Sequence, residues 1–559
     1  MSAPAPVPGK RPAWEPAVVT TGTRRVTFVT MSAALVAMLA AIVADAVARA
    51  QGHFSYALDD AYIHLAMARN LARFGVYGPT PLRYASASSS PLWTVTLAGL
   101  NRISPGVFEA FPLVLATGFA LGVLAFFAFG QDYVQVHAGR PGLWLAAVLL
   151  PALLFLPGLV AGGMEATAFI LVALLITTLF ARTMTSRLDR RQLVVLLVLT
   201  ALAPMIRFET VFLVAACVAA AVTVPLLIEG RRPPLTLRPL SPLAIALVMC
   251  ALVATALAIY AAVNISHGEY AFPNSITAKS DLGAPPLVLI GHVYARFLNN
   301  FLDDALLAGL LVAGVYQVIR EARARRAGDL GLTVIAVVAV ILHLCFADTG
   351  GFLRYQAYLV AIGILLVLRE AARTRERNNQ ARRWQLMGGI VLLTLFGLGL
   401  PRLYFTIRVP DAQLNIYQQQ AQVAGFFATE YAGEPVADDD IGWVSYLHRG
   451  PLLDLRALGS FEVLRALKQG HYDDVTIEAI ARRQGTRAIA LHEPVVGPLV
   501  PPTWVHVADL TEPGESIVMI SSTAQIYAPD EASASELRGR LHAYLPRLAP
   551  GVTVRFLPG

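Results

Sequence analysis

Long apolar runs organise this chain. They fall at about 26–49, 107–130, 141–160, 165–181, 192–207, 210–228, 242–262, 301–319, 331–347, 353–368 and 386–404. Each is read as a helix crossing a bilayer, because a hydrocarbon core about 30 Å thick takes about 20 residues of helix. Between the first two runs lies Tyr56 to Gly78, where the pattern changes. Ile63, Met67, Leu71 and Phe74 recur at helical spacing, with Asp60 and His64 four apart on another face. This predicts an amphipathic helix lying along the membrane surface, with Asp59 and Asp60 at its start. Ser90-Pro91 reads as N-cap and first turn of a second short helix ending near Ile103. That piece is too short to span and reads as a surface or re-entrant helix.

From about Thr406 the apolar runs shorten, and Gly, Pro and Asp return. Glu434 to Asp440, Pro451 to Leu455, Arg487 to Leu491 and Ser516 to Ile520 read as strands, and Glu536 to Leu545 as a helix. The predicted organisation is a disordered cytosolic tail over 1–25, a membrane domain over 26–405 with an outer loop at 50–106, and a soluble α/β domain over 406–559. The fold class is mainly α: a polytopic membrane protein of about eleven spans with a C-terminal α/β domain.

Composition sharpens this. Of 559 residues, 56% are hydrophobic and 14% charged, and the mean hydropathy is +0.59. Soluble chains carry about 25% charged residues, so a wholly soluble protein is excluded. The net charge of +7 does not indicate nucleic acid, since most of the Arg of the predicted membrane domain sits in short loops at 182–191, 229–241, 320–326 and 369–383. With the spans above, those loops and the N-terminal tail share one side, which the positive-inside rule makes cytoplasmic. The first apolar run is long for a signal peptide and lacks a clear cleavage site, so it reads as a retained span. Cys217, Cys250 and Cys345 lie in apolar runs without metal or disulfide spacing. No phosphate-binding Gly loop and no internal repeat is present.

The opposite side collects the remaining polar groups. They are Asp59-Asp60, Gly162-Gly163-Met164-Glu165, Arg207-Phe208-Glu209, Phe272 to Asp281 and Asp348 to Arg354. Ionisable groups at span ends are costly unless partnered or used, so these five clusters point to one site at the outer boundary.

The ordered set resembles the GT-C glycosyltransferases, multi-pass enzymes that use polyprenyl-phosphate sugars. It is most similar to bacterial members related to the mycobacterial terminal arabinofuranosyltransferases. The resemblance rests on Asp59-Asp60-Ala61-Tyr62, Arg69-Asn70-Leu71-Ala72, Gly75-Val76-Tyr77-Gly78, Ser89-Ser90-Pro91-Leu92-Trp93, Gly163-Met164-Glu165, Arg207-Phe208-Glu209, Phe272-Pro273-Asn274 with Ala278-Lys279-Ser280, and Asp440-Ile441-Gly442. Two segments depart from the pattern: Pro79 to Ser86, and Phe208 in place of proline. The resemblance implies transfer of a hexosyl or pentosyl group, with inversion, from a polyprenyl-phosphate donor to a glycan or lipid acceptor of the cell envelope. It places the general base within Asp59-Asp60; the residues themselves barely separate the two, and Asp59 is slightly favoured with Asp60 and His64 in support. The local alternative is that Asp59 is an N-cap and Asp60 a first-turn acid.

A leaving phosphate needs cationic partners, and Arg207, Lys279 and Arg354 are available, with His64 one turn from Asp60. Glu165 and Glu209 are placed to bind acceptor hydroxyls or to pair with Arg207 or Arg354. Asn274, Tyr62 and Arg69 are acceptor-binding or supporting candidates. No cofactor is required, and a divalent metal beside the acid pair is possible. The implied location is the plasma (inner) membrane, with bilayer lipids as partners, the N-terminus cytoplasmic and the C-terminal domain outside. The rival reading from another class is a transporter or lipid flippase, whose charges would line a mid-span path. Here the polar groups gather at one face.

Overall fold

The computed structural model describes residues 21–130, 149–230, 240–279, 285–376 and 397–558. The protein is mainly helical, with one mixed sheet toward its C-terminus. Among the described residues six helices are long and apolar enough to cross a membrane: Thr21–Arg49, Pro105–Phe129, Thr210–Glu229, Pro242–Ser266, Ala305–Arg323 and Ala327–Phe346. Two helices of 17 residues, Ala166–Arg182 and Arg190–Ile206, and the 20-residue Ala357–Glu376 stand with them. The chain is a multi-pass membrane protein. Ala327–Phe346 forms its centre, with 67% of its most apolar stretch buried inside the protein against 28–39% for the other five. Small residues let helices approach closely in a bilayer. Ala216, Cys217, Ala220 and Ala221 of Thr210–Glu229 are buried accordingly, and that helix packs on Ala327–Phe346.

The expected spans 141–160 and 386–404 fall partly outside the described residues, as do parts of the Arg-rich loops 229–241 and 369–383; of the tail expected over 1–25, residues 1–20 lie outside them and 21–25 belong to the Thr21–Arg49 helix. The described remainder at 149–161 is helical but broken at Phe155, which has φ 54°. One helix was not expected. Pro286–Asp303 has Leu287, Ile290, Tyr294 and Leu302 exposed. Pro, Gly and paired Asn residues interrupt its apolar pattern, which is why no span is read there.

The Asp60–Phe74 helix is not a surface helix. Every residue from Ala61 to Asn70 is buried, and only the two ends, Asp60 at the start and the last turn with Phe74, reach the surface. It lies between Pro91–Ile103 and a short helix of the C-terminal domain, Ile441–Leu447. A polar face that suits water also suits the backbone of a second domain, and the sequence pattern does not separate the two. Pro91–Ile103 begins at Ser90 as expected. The Ser90 side chain does not cap it, and Ser88 Oγ instead accepts from the Ser90 N–H at 3.0 Å.

The C-terminal sheet has strands β1 (Val436–Asp438), β2 (Leu452–Asp454), β3 (Ala488–Leu491), β4 (Val505–Thr511), β5 (Thr523–Ala528) and β6 (Thr553–Phe556), in the order β2-β1-β3-β5-β4-β6. The first three are parallel and the others antiparallel. Ser516 to Ile520 is not a strand. Its Ile517, Val518 and Met519 pack instead against the apolar core of the membrane domain, and that contact is what their hydrophobicity serves. Two helices, Val409–Gln418 and Gln420–Glu430, join the domains through buried amides. Gln413 Nε2 donates to Ser55 O at 2.7 Å, Gln419 Nε2 to Ser521 O at 3.0 Å, and Gln420 Nε2 to Asp440 Oδ2 at 2.6 Å.

Candidate active site

The turn before Ala357–Glu376 builds the site. Gly350, Gly351, Phe352 and Leu353 all have positive φ, between 51° and 104°. Glycine adopts this freely, but Phe352 and Leu353 do so at a cost of about 1–2 kcal/mol each. Such strain persists where the surroundings over-determine it. Here the turn delivers Arg354 and Tyr355. Arg354 Nη2 donates to Asp60 Oδ2 at 2.8 Å and to the Tyr355 hydroxyl at 3.1 Å. The Arg354 side chain is 8% exposed and that of Asp60 is 40% exposed. Arg354 Nε and Nη1 are buried with no hydrogen-bond partner among the described residues.

Tyr355, which no sequence signal singled out, is where the three expected cations meet. Its ring centre lies 4.9 Å from the Arg354 guanidinium, 5.3 Å from that of Arg207 and 5.9 Å from Lys279 Nζ. The charge of Arg354 holds its phenol below the ordinary value, against the effect of burial. The cations come from the end of Arg190–Ile206, the end of Asn274–Lys279 and the strained turn. Lys279 is exposed and pairs with Asp348 at 3.4 Å.

Arg207 is committed elsewhere. Its Nη1 meets Glu165 Oε1 at 2.8 Å and its Nη2 meets Glu209 Oε1 at 2.5 Å. Of the two roles open to Glu165 and Glu209, the structure therefore shows ion pairing. Glu165 Oε2 is buried and unpartnered among the described residues. Gly163 beside it has φ 67°, and a side chain there would overlap the Tyr56 ring. His64 is buried against Thr94 Oγ1 and Ser88 Oγ, at 2.8 and 3.3 Å from Nδ1. Burial keeps it below its ordinary pKa although Glu165 opposes this, so it is neutral.

The two acids part company. Burial opposes ionisation of Asp60, but Arg354 outweighs it, so the carboxyl sits below its usual range and is anionic at neutral pH. Asp59 is 6% exposed. Its carboxylate accepts from the backbone N–H groups of Gly442 (2.5 Å) and Trp443 (2.8 Å) in the other domain. It makes no side-chain cap on its own helix. Burial pushes its pKa well up, and the neighbouring Asp440 adds to that. A carboxyl so engaged and so reluctant to ionise is ill suited to take a proton, so the preference for Asp59 as base does not fit this geometry.

Three supporting candidates also face the C-terminal domain. The Tyr62 ring stacks on Trp443 at 3.9 Å. Arg69 donates to Tyr446 O (2.5 Å) and Ser445 O (3.2 Å). Asn274 Nδ2 donates to Leu458 O at 2.9 Å. Among the described residues no group of three or more His, Cys, Asp or Glu is arranged to hold a metal ion.

Residues 412–528 match a family described as a domain of unknown function (DUF8728). No curated protein matches the chain. Among solved structures, it is similar to the archaeal oligosaccharyltransferase AglB from Archaeoglobus fulgidus in complex with an inhibitory peptide and a dolichol-phosphate. The identity is 12% and the TM-score 0.48, over 92% of this chain and 78% of that one. It is also similar to ArnT from Cupriavidus metallidurans bound to undecaprenyl phosphate, at 12% identity and TM-score 0.47, over 89% of this chain and 98% of that one. The finer resemblance to arabinofuranosyltransferases is not carried by these comparisons.

Proposed function

We propose that this protein is a membrane glycosyltransferase of the GT-C type. It moves a hexosyl or pentosyl group from a polyprenyl-phosphate donor to a glycan or lipid acceptor on the outer face of the plasma membrane. The N-terminus lies in the cytoplasm and the C-terminal domain outside. The observation that carries the reading is Arg354. A buried guanidinium with two nitrogens unpartnered among the described residues, beside a solvent-accessible carboxylate, is suited to take an oxyanion.

The donor phosphate takes Nε and Nη1 while Nη2 keeps Asp60, with Tyr355 and Lys279 at the same locus. Asp60 accepts the proton of the acceptor hydroxyl as its oxygen bonds to the anomeric carbon. The bond from that carbon to phosphate oxygen breaks, and the charge left on the polyprenyl phosphate is met by Arg354 and Lys279. One displacement inverts the anomeric centre. A carboxylate of low pKa serves because the hydroxyl becomes acidic only as its bond to an oxocarbenium-like carbon forms. The test is binding of undecaprenyl phosphate to the purified full chain and to Arg354→Gln. A charged hydrogen bond is worth about 1.5–3 kcal/mol, so binding is expected to weaken about ten- to a hundredfold. Unchanged affinity would overturn the reading.

A further inference from the structure

The seam between the two domains is built on one short helix. Ile441–Leu447 has seven residues, so it is about 10 Å long. The Asp60–Phe74 helix and its leading residue hold it at both ends. Asp59 accepts from Gly442 N and Trp443 N at its N-terminus, and Arg69 donates to Ser445 O and Tyr446 O at its C-terminus. Two free N–H groups at the start and two carbonyl oxygens at the end of this helix are thereby satisfied from the other domain. Tyr62 stacks on Trp443 between them. The approach is so close that a side chain at Gly442 would overlap the carbonyl and carboxylate oxygens of Asp59. Ile63 and Met67 complete the seam by packing with Ile441.

We infer that Asp59 and Arg69 are positioning residues: they clamp the Ile441–Leu447 helix and so let the C-terminal domain fix the aim of Asp60. The inference rests on the assignment of Asp60 in the proposed function. Asp60 directly follows Asp59 and is the first residue of the Asp60–Phe74 helix that carries the clamp. Its carboxylate meets Arg354 from a different part of the chain, so a small rotation of this helix separates the base from the phosphate site. The C-terminal domain is thereby a working part of the site although none of its side chains need touch substrate.

Asp59→Ala removes both acceptors, Asp59→Asn keeps one, and Gly442→Ala disturbs the same contact from the other domain. Each is made in the full chain with the native cysteines replaced and spin labels at Leu82→Cys and Ala532→Cys. Misplacement by about 1 Å can cost on the order of 10²-fold. Asp59→Ala and Gly442→Ala are expected to lose about that much kcat with donor KM unchanged, and to broaden the inter-domain distance distribution. Asp59→Asn is expected to fall between them and wild type. A distribution that stays narrow in all three variants overturns the clamp. A broadened distribution with full turnover overturns its link to Asp60. A collapse of kcat in Asp59→Asn with the distribution still narrow makes Asp59 a chemical group, which also overturns it. If the parent chain transfers no sugar, the proposed function fails, while the distance measurement still decides whether the clamp exists.

Discussion

Asp60→Asn separates chemistry from binding. The side chain is 40% exposed and its one ion pair among the described residues is the 2.8 Å bond to Arg354, which Asn Oδ1 still accepts. The stability cost is therefore expected not to exceed that of one charged hydrogen bond, about 1.5–3 kcal/mol, and to stay below the 3–5 kcal/mol of a fully buried broken pair. Turnover loses the general base, a factor of about 10²–10⁴, or roughly 3–5 kcal/mol of barrier. Donor binding moves the other way. The wild-type carboxylate competes with phosphate for one guanidinium, and at about 4 Å two like charges repel by roughly 1 kcal/mol in water and 4 at intermediate dielectric. The exposure of Asp60 puts the effect near the lower end, so undecaprenyl phosphate is expected to bind Asp60→Asn about five- to tenfold more tightly. The assays are calorimetric binding of that lipid in detergent and in-vitro transfer from a polyprenyl-phosphate sugar. Full turnover, or binding weakened by the substitution, would refute the assignment of Asp60 and the proximity of phosphate to it.

Four further outcomes are expected. Arg207→Gln should lower the melting temperature sharply, because Glu165 and Glu209 lose their buried partner; a normal melt with weakened donor binding would make Arg207 a ligand of phosphate instead. EDTA should leave transfer intact, since Arg354 already fills the cation position beside Asp60, and a strict metal requirement would refute this. A cysteine introduced at Ala532 should be labelled from outside the cell and one at Ala324 should not; the reverse would invert the proposed topology. The C-terminal domain should lose stability as pH rises from about 4 to 7: burial holds Asp454 at about 6, so its folded form keeps a proton that the unfolded chain has released, worth about 3 kcal/mol by pH 7, and a melting temperature that climbs over that window would refute it.

Much of the architecture was legible because bilayer thickness imposes it. Thr21–Arg49, Thr210–Glu229 and Pro242–Ser266 follow from apolar length alone. The parallel strands β1, β2 and β3 were also visible, as short apolar runs ending in Asp or His. β4, β5 and β6 were not, because Thr, Asp, Gln and Arg along them mask the alternation. Arg354 could be named from its place at a span end and Lys279 from its loop on the same side. Tyr355 could not, since its role depends on a left-handed turn that folds it under residues about 75 and 150 positions away. Arg207 looked equally available, and only the arrangement of Glu165 and Glu209 around it shows the cation to be spent.

The acid pair shows why adjacent identical residues need not share a task. Neighbouring positions at a helix start point about 100° apart. At Asp59 and Asp60 that angle separates two environments. One carboxylate reaches the first N–H groups of another domain's helix, and the other reaches the Arg354 guanidinium. The first is buried and its ionisation suppressed; the second is open to water and its ionisation favoured. Environment thus distinguishes two carboxyls that sequence leaves degenerate, and the proposed roles follow that difference. The same angle ties the two roles together. A helix that must satisfy Gly442 and Trp443 with one residue has little freedom left in where it points the next.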